Sequence, residues 1–272
     1  MAEEFPRVRH FKGNGAWLMP RLSIGSCNRQ EDITMMAIVR IPAGKEEYCL
    51  LRNCLSGGTA RGFGFYITKE GKLNLRAVPP SEAENEVNGF SSKEFFTFDN
   101  HWKLVVARKA VGSAIPDFGV FDFVTREWKW QEAVEHNSGT KAQSVESTGK
   151  VQIGEGNGFN LLLGDMAMAF MGAVKSRAEI EALVGKGTLT EWKASAVGLW
   201  FFDQSAPEGE IVDQTGNGAN RVQGGAGTEV LTPERPPIPY YNEVTQRAKV
   251  LIAGAIKSVK RWTLANGAVR QV

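Results

Sequence analysis

Phe63-Gly64-Phe65-Tyr66-Ile67 and Lys72-Leu73-Asn74-Leu75-Arg76-Ala77-Val78, joined through Lys69-Glu70-Gly71, decide the fold class. In the first run Phe63, Phe65 and Ile67 fall on one face, and in the second polar and apolar residues alternate without a break. A period of two marks strands with one buried face, because successive side chains point to opposite sides of a sheet. Gly71 stands where a tight turn needs a positive φ, so the stretch reads as a β-hairpin. The same periodicity predicts strands over 33–41, 103–108, 118–124, 128–131, 151–153, 161–163, 166–174 and 197–202. Turn dipeptides separate them: Asn14-Gly15, Gly57-Gly58, Asn88-Gly89, Asn157-Gly158, Asn217-Gly218 and Asn266-Gly267.

One short helix is expected. Ser176-Arg177-Ala178-Glu179 fits a capping box, Ile180, Leu183 and Val184 make an apolar stripe, and Gly185 is read as its stop. A parallel sheet would demand crossover helices that the chain does not offer. Many short strands with glycine turns predict an all-β, antiparallel two-sheet sandwich with one short helix and a C-terminal extension. The composition agrees: 42% apolar and 23% charged residues suit a packed body, and 30 glycines among 272 residues suit many turns. No apolar run is long enough to span a membrane as a helix.

The organisation changes at Thr232. Four prolines at 233, 236, 237 and 239 favour an extended linker over sheet or helix. The expected organisation is a sandwich over 1–231, a linker over 232–241 and a docking segment over 242–272. From Thr232 onward the net charge is +5, against −3 for the body. Val244, Ala248, Leu251, Ala255, Val259 and Trp262 share one helical face, or residues 261–272 form a hairpin around Asn266-Gly267. Both readings stay open, and no internal repeat stands out. The segment is too short for a core of its own, so Tyr240, Tyr241, Leu251, Ile252, Val259 and Trp262 are expected to dock it to an assembly. Met1 to Pro6 carries no basic region before an apolar stretch, so no export signal is expected. Cys27, Cys49 and Cys54 cannot build a disulfide framework, which suits folding in a reducing cytoplasm.

Several motifs together resemble a known module. Phe11-Lys12-Gly13-Asn14-Gly15-Ala16-Trp17-Leu18 with Asp32-Ile33-Thr34-Met35-Met36-Ala37-Ile38-Val39-Arg40 looks like the opening strands of laminin-G-like modules. Asp99-Asn100-His101-Trp102-Lys103-Leu104-Val105-Val106-Ala107 resembles their W-H-x-V-A strand, and Gly172-Ala173-Val174 followed by Ser176 to Leu183 resembles their G-x-I…S-x-x-E-I-x-x-L ending. Val197-Gly198-Leu199-Trp200-Phe201-Phe202-Asp203 and Asp213-Gln214-Thr215-Gly216-Asn217-Gly218-Ala219-Asn220 resemble a W-x-F-D…D-x-(S/T)-G-N-G-x-N element that usually opens the module. Here it follows the helix, as though the sheet closed from its other end. The resemblance covers roughly residues 8–230. It implies a jelly-roll sandwich of the concanavalin A-like lectin and glucanase superfamily, and the overall build resembles bacteriophage minor tail and virion surface proteins.

Catalytic patterns were not found in the sequence. The glucanase string E-x-D-x-x-E is absent; Glu208-Gly209-Glu210 and Glu82-Ala83-Glu84 fall in loop-like segments. There is no G-x-S-x-G, and His10, His101 and His136 stand apart in sequence. No zinc-ligand spacing occurs, and Gly154-Glu155-Gly156-Asn157-Gly158 lacks the helix of a phosphate loop. The family resemblance raises calcium at Asp203, Asp213 and Asn217, but a tight turn capped by Asp213 and Asn217 is preferred, so no metal or cofactor is expected. Trp128 and Trp130 lie two apart, hence on one strand face. They are the candidate carbohydrate-binding residues, with a core or inter-subunit pair as the alternative.

These readings lead to a non-catalytic virion protein, a tail or surface component presenting a carbohydrate- or protein-binding jelly roll for host attachment. Expected partners are other virion subunits, a host glycan and further copies of the chain, with neither nucleic acid nor membrane. The alternatives are a polysaccharide-active glycoside hydrolase of the same fold and a free-standing soluble lectin.

Overall fold

The computed structural model describes residues 8–12, 17–21, 33–42, 47–52, 62–78, 88–109, 115–137, 150–154, 161–173, 176–186, 189–194, 196–202, 213–216, 223–224, 228–231, 249–252, 255–258, 262–265 and 268–271. Along the chain the described strands are β1 (Val8–Lys12), β2 (Trp17–Arg21), β3 (Ile33–Arg40), β4 (Tyr48–Arg52), β5 (Gly62–Ile67), β6 (Lys72–Val78), β7 (Asn88–Glu94), β8 (Lys103–Lys109), β9 (Asp117–Asp122), β10 (Glu127–Glu132), β11 (Glu135–Asn137), β12 (Lys150–Ile153) and β13 (Leu163–Gly172). Two helices follow, α1 (Arg177–Lys186) and α2 (Leu189–Ala194). The last strands are β14 (Ala196–Phe201), β15 (Gln223–Gly224), β16 (Thr228–Leu231), β17 (Lys249–Ile252), β18 (Ala255–Ser258), β19 (Trp262–Ala265) and β20 (Ala268–Gln271).

Two eight-stranded sheets make the sandwich. Sheet A runs β10-β9-β8-β3-β13-β1-β16, with β14 also on β13, and sheet B runs β11-β7-β6-β5-β4-β12-β2-β15. Their ladders are antiparallel throughout. The facing surfaces interdigitate Met35, Ala37, Val39, Val105, Phe118 and Val120 of sheet A with Leu50, Phe63, Phe65, Ile67, Leu73, Leu75 and Val151 of sheet B. At about 25 cal/mol per Å² of apolar surface removed from water, this interior is the main source of stability.

The founding hairpin forms as predicted, with Phe63 opposite Ala77, Phe65 opposite Leu75 and Ile67 opposite Leu73. Gly71 has φ +79°, and a Cβ there would collide with the Phe96 carbonyl oxygen. Neighbouring strands depart from their predicted limits. The separate strands expected at 161–163 and 166–174 are one strand, β13. Asn88-Gly89 is not a turn; it lies in β7, opposite Ala77 and Arg76. Hydrogen bonding to β6 decides that segment, since its own residues carry little strand preference. β4 escaped periodicity because a register shift between Cys49 and Leu51 breaks the alternation, and all five of its residues are buried.

The first and last strands of the body are neighbours. β1 pairs with β13 on one side and β16 on the other. β14 continues along the same edge of β13, from Met168 opposite Phe201 to Gly172 opposite Ala196. That end-to-end arrangement lets a strand that elsewhere opens the module follow the helix here.

Sheet A has a second apolar surface on its outer side. The α1 and α2 residues Ile180, Leu183, Val184 and Trp192 pack over Met36, Ile38, Leu104, Val106, Phe170 and Leu199. The capping box is formed: Glu179 accepts from the Ser176 backbone N–H at 2.7 Å and Ser176 Oγ accepts from the Glu179 N–H at 3.2 Å. Two corrections concern the helices. α1 runs through Gly185 rather than stopping there, and α2 is a second helix where one was expected. Trp192, with its ring 5.8 Å from that of Phe170, supplies the tertiary contact that holds this short helix.

The helical reading of the tail is overturned. β17 pairs with β18 and β19 with β20, as two separate two-stranded sheets. Residues 232–241 lie outside the described residues, as do Asn14-Gly15, Gly57-Gly58, Asn157-Gly158 and Asn217-Gly218.

Candidate functional site

The outer face of sheet B carries no described layer, and its composition differs from that of sheet A. Where β12, β4, β5 and β6 run side by side, Gln152 lies opposite Arg52, Arg52 opposite Gly64 and Gly64 opposite Arg76. The next row places Cys49, Tyr66, Asn74 and Ser91 opposite one another in turn. Their chain neighbours Val151, Ile153, Phe63, Phe65, Leu73, Leu75 and Phe90 belong to the inner core, which fixes these two rows on the outer side.

The rows form a hydrogen-bonding surface around one aromatic ring. Tyr66 lies flat along its own strand over Gly64, and a Cβ at Gly64 would strike the ring. The Arg76 guanidinium stands over that ring, 4.6 Å from its centre, and is paired with Glu47. On the same face, Oδ1 of Asn74 and, three strands away, Oε1 of Gln152 are buried without a hydrogen-bond donor among the described residues. Buried acceptors are nearly always satisfied, and these two stand on the same face as the buried Arg52. The sign of this face in the sequence is the polar half of the alternation, Asn74 and Arg76 interleaved with Leu73, Leu75 and Ala77.

A second polar cluster closes one end of β8. The Lys103 ammonium is bonded to Asp99, lies 3.4 Å from Asp122 and sits 5.5 Å from the centre of the Phe96 ring. Burial alone would raise the Asp99 carboxyl. The Lys103 ammonium, the Thr97 hydroxyl and the His101 backbone N–H outweigh it and hold the group at about 2, against an ordinary 3.8. Burial acts on Asp122 in the same upward sense, but the N–H groups of Thr125 and Val124, with Lys103, lower it overall. His101 Nδ1 is 3.7 Å from both carboxylates. Asp99, His101 and Asp122 come close enough to share an ion, but the lysine is already the cation between the two carboxylates.

Trp128 and Trp130 come together, as their spacing predicts. Their rings are stacked 9° from parallel with centroids 5.1 Å apart. Trp128 also packs on Phe121, and Trp130 donates Nε1–H to Glu181 of α1 at 2.7 Å beneath the Arg177 guanidinium. Both indoles are half-buried on the side of β10 that faces the helix. The stack ties the edge strand to α1.

The remaining sequence candidates divide. His10 bonds Asp165 at 2.8 Å, and Arg40 holds the other oxygen of that buried carboxylate at 2.8 and 2.7 Å. His136 lies on β11. Asp213 is buried and accepts from the N–H groups of Leu199 and Thr215, each at 3.0 Å, so its oxygens cap a turn. Asp203 and Asn217 lie outside the described residues, as do Tyr240, Tyr241 and Val259. Leu251 and Ile252 are on β17 and Trp262 on β19.

No protein-family model matches the chain, and no curated protein sequence matches it. Solved structures do. A Bacteroides ovatus protein provisionally named as carbohydrate-binding matches over 85% of this chain and 61% of its own, with 13% identity and a TM-score of 0.52. Full-length tailspike protein 2 of an Escherichia coli bacteriophage matches over 72% of this chain and 26% of its own, with 12% identity and a TM-score of 0.49. Domains LG4-5 of the mouse laminin alpha1 chain match over 61% of this chain and 41% of theirs, with 12% identity and a TM-score of 0.41. The chain thus spans less than two thirds of each of these proteins, and at 13% identity the likeness to the first is one of fold. No described helix is long and apolar enough to cross a membrane. The chain is an antiparallel two-sheet jelly-roll sandwich.

Proposed function

We propose that the chain is a non-catalytic glycan-binding jelly roll displayed on a virion, with the outer face of sheet B as its binding surface. The observation that carries this reading is the half-buried Arg76 guanidinium standing over the Tyr66 ring on that face and paired with Glu47. Sugar hydroxyls accept hydrogen bonds from a guanidinium and donate them to carboxylate oxygens such as those of Glu47. The match to a protein named for carbohydrate binding supports the same reading. The virion assignment draws on the resemblance to phage surface modules.

Against hydrolysis stands the chemistry of the described carboxylates. A glycosidase needs one carboxyl raised so that it can protonate the leaving oxygen. Asp99 and Asp122, the acidic pair that comes together, are both lowered by Lys103 and neighbouring donors. Neither is a proton donor at neutral pH.

The test is a glycan array with the full chain, followed by titration of the best ligand and mass analysis of that ligand after long incubation. Binding without cleavage is expected, weakened about tenfold or more in R76A and N74A and retained in a W128A/W130A variant. Cleavage would establish the hydrolase alternative. Loss in W128A/W130A alone would move the site to the tryptophan stack, and a chain that binds no glycan would end the reading.

A further inference from the structure

Among the described residues sheet A ends on β10, which is paired with β9 on one side. It is six residues long, Glu127-Trp128-Lys129-Trp130-Gln131-Glu132, against four in β16 at the other end of the sheet. An end strand offers a row of backbone N–H and C=O groups to any strand that can lie beside it. Its side chains alternate. Trp128 and Trp130 turn toward the helices, while Glu127, Lys129 and Gln131 take the opposite face. There Gln131 Oε1 accepts from the Lys93 backbone N–H of β7 at 3.2 Å. Glu127 and Lys129 are exposed, and among the described residues neither has an ion-pair partner.

A lysine in the middle of an end strand ordinarily keeps other strands away. Here it stands two residues from a glutamate on the same face, and that spacing fits a second copy of the strand. When two identical strands pair antiparallel with their helix-covered faces on one side, some residue must lie opposite itself. Centred on Trp128, the pairing sets Glu127 opposite the other copy's Lys129, and Lys129 opposite its Glu127. Trp128 then meets its own counterpart, and Arg126 lies opposite Trp130. Centred on Lys129, two ammonium groups would face each other. Centred on Trp130, Lys129 would face Gln131 and Trp128 would face Glu132. Of these registers, the one about Trp128 joins both charges.

We propose that β10 is a docking edge for a second copy of this chain, which adds antiparallel about Trp128 and joins two copies of sheet A into one sheet. A second copy is the occupant because the strand is its own complement in charge: one exposed acid and one exposed base, placed to meet each other twice. Main-chain hydrogen bonds along the joined edges supply affinity, and the charge pairs fix the register. On the helix side the Trp128–Trp130 stack of one copy abuts that of the other. Arg126 comes beside the other copy's Trp130, an indole that already carries the Arg177 guanidinium within its own chain. The edge belongs to sheet A, so the proposal does not rest on the glycan reading of sheet B.

Sedimentation equilibrium of the full chain, at concentrations up to about 100 μM, tests this. A mass of two chains, each of 29.8 kDa, is expected. K129E, and independently E127K, set like charges opposite each other twice and should weaken the pairing about tenfold or more. E127K/K129E reverses both charges, keeps them complementary and should restore the dimer. The sandwich's thermal transition should stay in place in all three, since both side chains are exposed. A single-chain mass for the unaltered protein would overturn the proposal, as would a single reversal that associates as strongly as the unaltered chain. A double reversal as weak as the single ones would overturn it too. So would loss of the sandwich transition in both single variants, because the two charges would then serve the body's own fold.

Discussion

The Lys103 ammonium lies 3.4 Å from the Asp122 carboxylate, with 3% of its side chain exposed. A charge so deeply placed persists because Asp99 and Asp122 hold it from two sides and the Phe96 ring from a third. Replacing it leaves two carboxylates facing each other. Since Asp99 keeps some contact with solvent, K103M should cost about 1–3 kcal/mol rather than the larger penalty of a fully buried pair. Urea denaturation measures this, and a loss below about 0.5 kcal/mol would show the cluster to be ornamental.

The same cluster sets an acid limit. Asp99 is held at about 2 in the folded chain, against 3.8 ordinarily, and Asp122 is lowered too. A carboxyl depressed by folding contributes stability above its unfolded value and forfeits it as the pH falls toward its folded value. Stability should therefore be flat above about pH 5 and decline between about pH 4 and 2. D99N should flatten roughly 1 kcal/mol of that decline, after allowance for solvent screening. Denaturation midpoints taken across that range give the slope.

The tryptophan stack depends on a glycine. Trp130 lies over Gly119 of β9, and a Cβ at Gly119 would meet its ring carbons at 2.6 to 2.9 Å. G119A should push the indole off Trp128 at a cost of about 1–3 kcal/mol. Stacked indoles couple in circular dichroism, so G119A and W130F should both lose that signal. Its survival in G119A would mean that the strand yields instead of the ring.

Removing Trp192 tests the outer layer of sheet A. It is 1% exposed and meets Phe170 edge to face. W192A should cost about 3–5 kcal/mol and release α2, seen as faster amide exchange in residues 189–194. Unchanged exchange would show that the helix is held elsewhere.

The hairpin 63–78 was legible because its two strands alternate cleanly and Gly71 punctuates them. The capping box at Ser176 was legible for the same reason, since both partners lie within one turn of chain. β4 and β7 were hidden. One carries a register shift that scrambles the alternation, and the other is built of small polar residues that extend only because β6 offers them hydrogen bonds.

The candidate site divides along the same line. Two tryptophans at i and i+2 must share a strand face, and the chain alone says so. What they meet there, α1 through Glu181 and Arg177, depends on a helix some fifty residues away. The sheet B surface is wholly tertiary: Gln152, Arg52 and Arg76 come from three strands that antiparallel register sets in one row, and Tyr66 lies over Gly64 in that row from a fourth. The sequence by itself determined the all-β class, the hairpin and the capped helix, because each depends on residues close along the chain. Strand order, the helical cover on sheet A and the common register of the tail hairpins were decided by pairing between distant segments, where hydrogen-bond geometry and burial outweigh local preference.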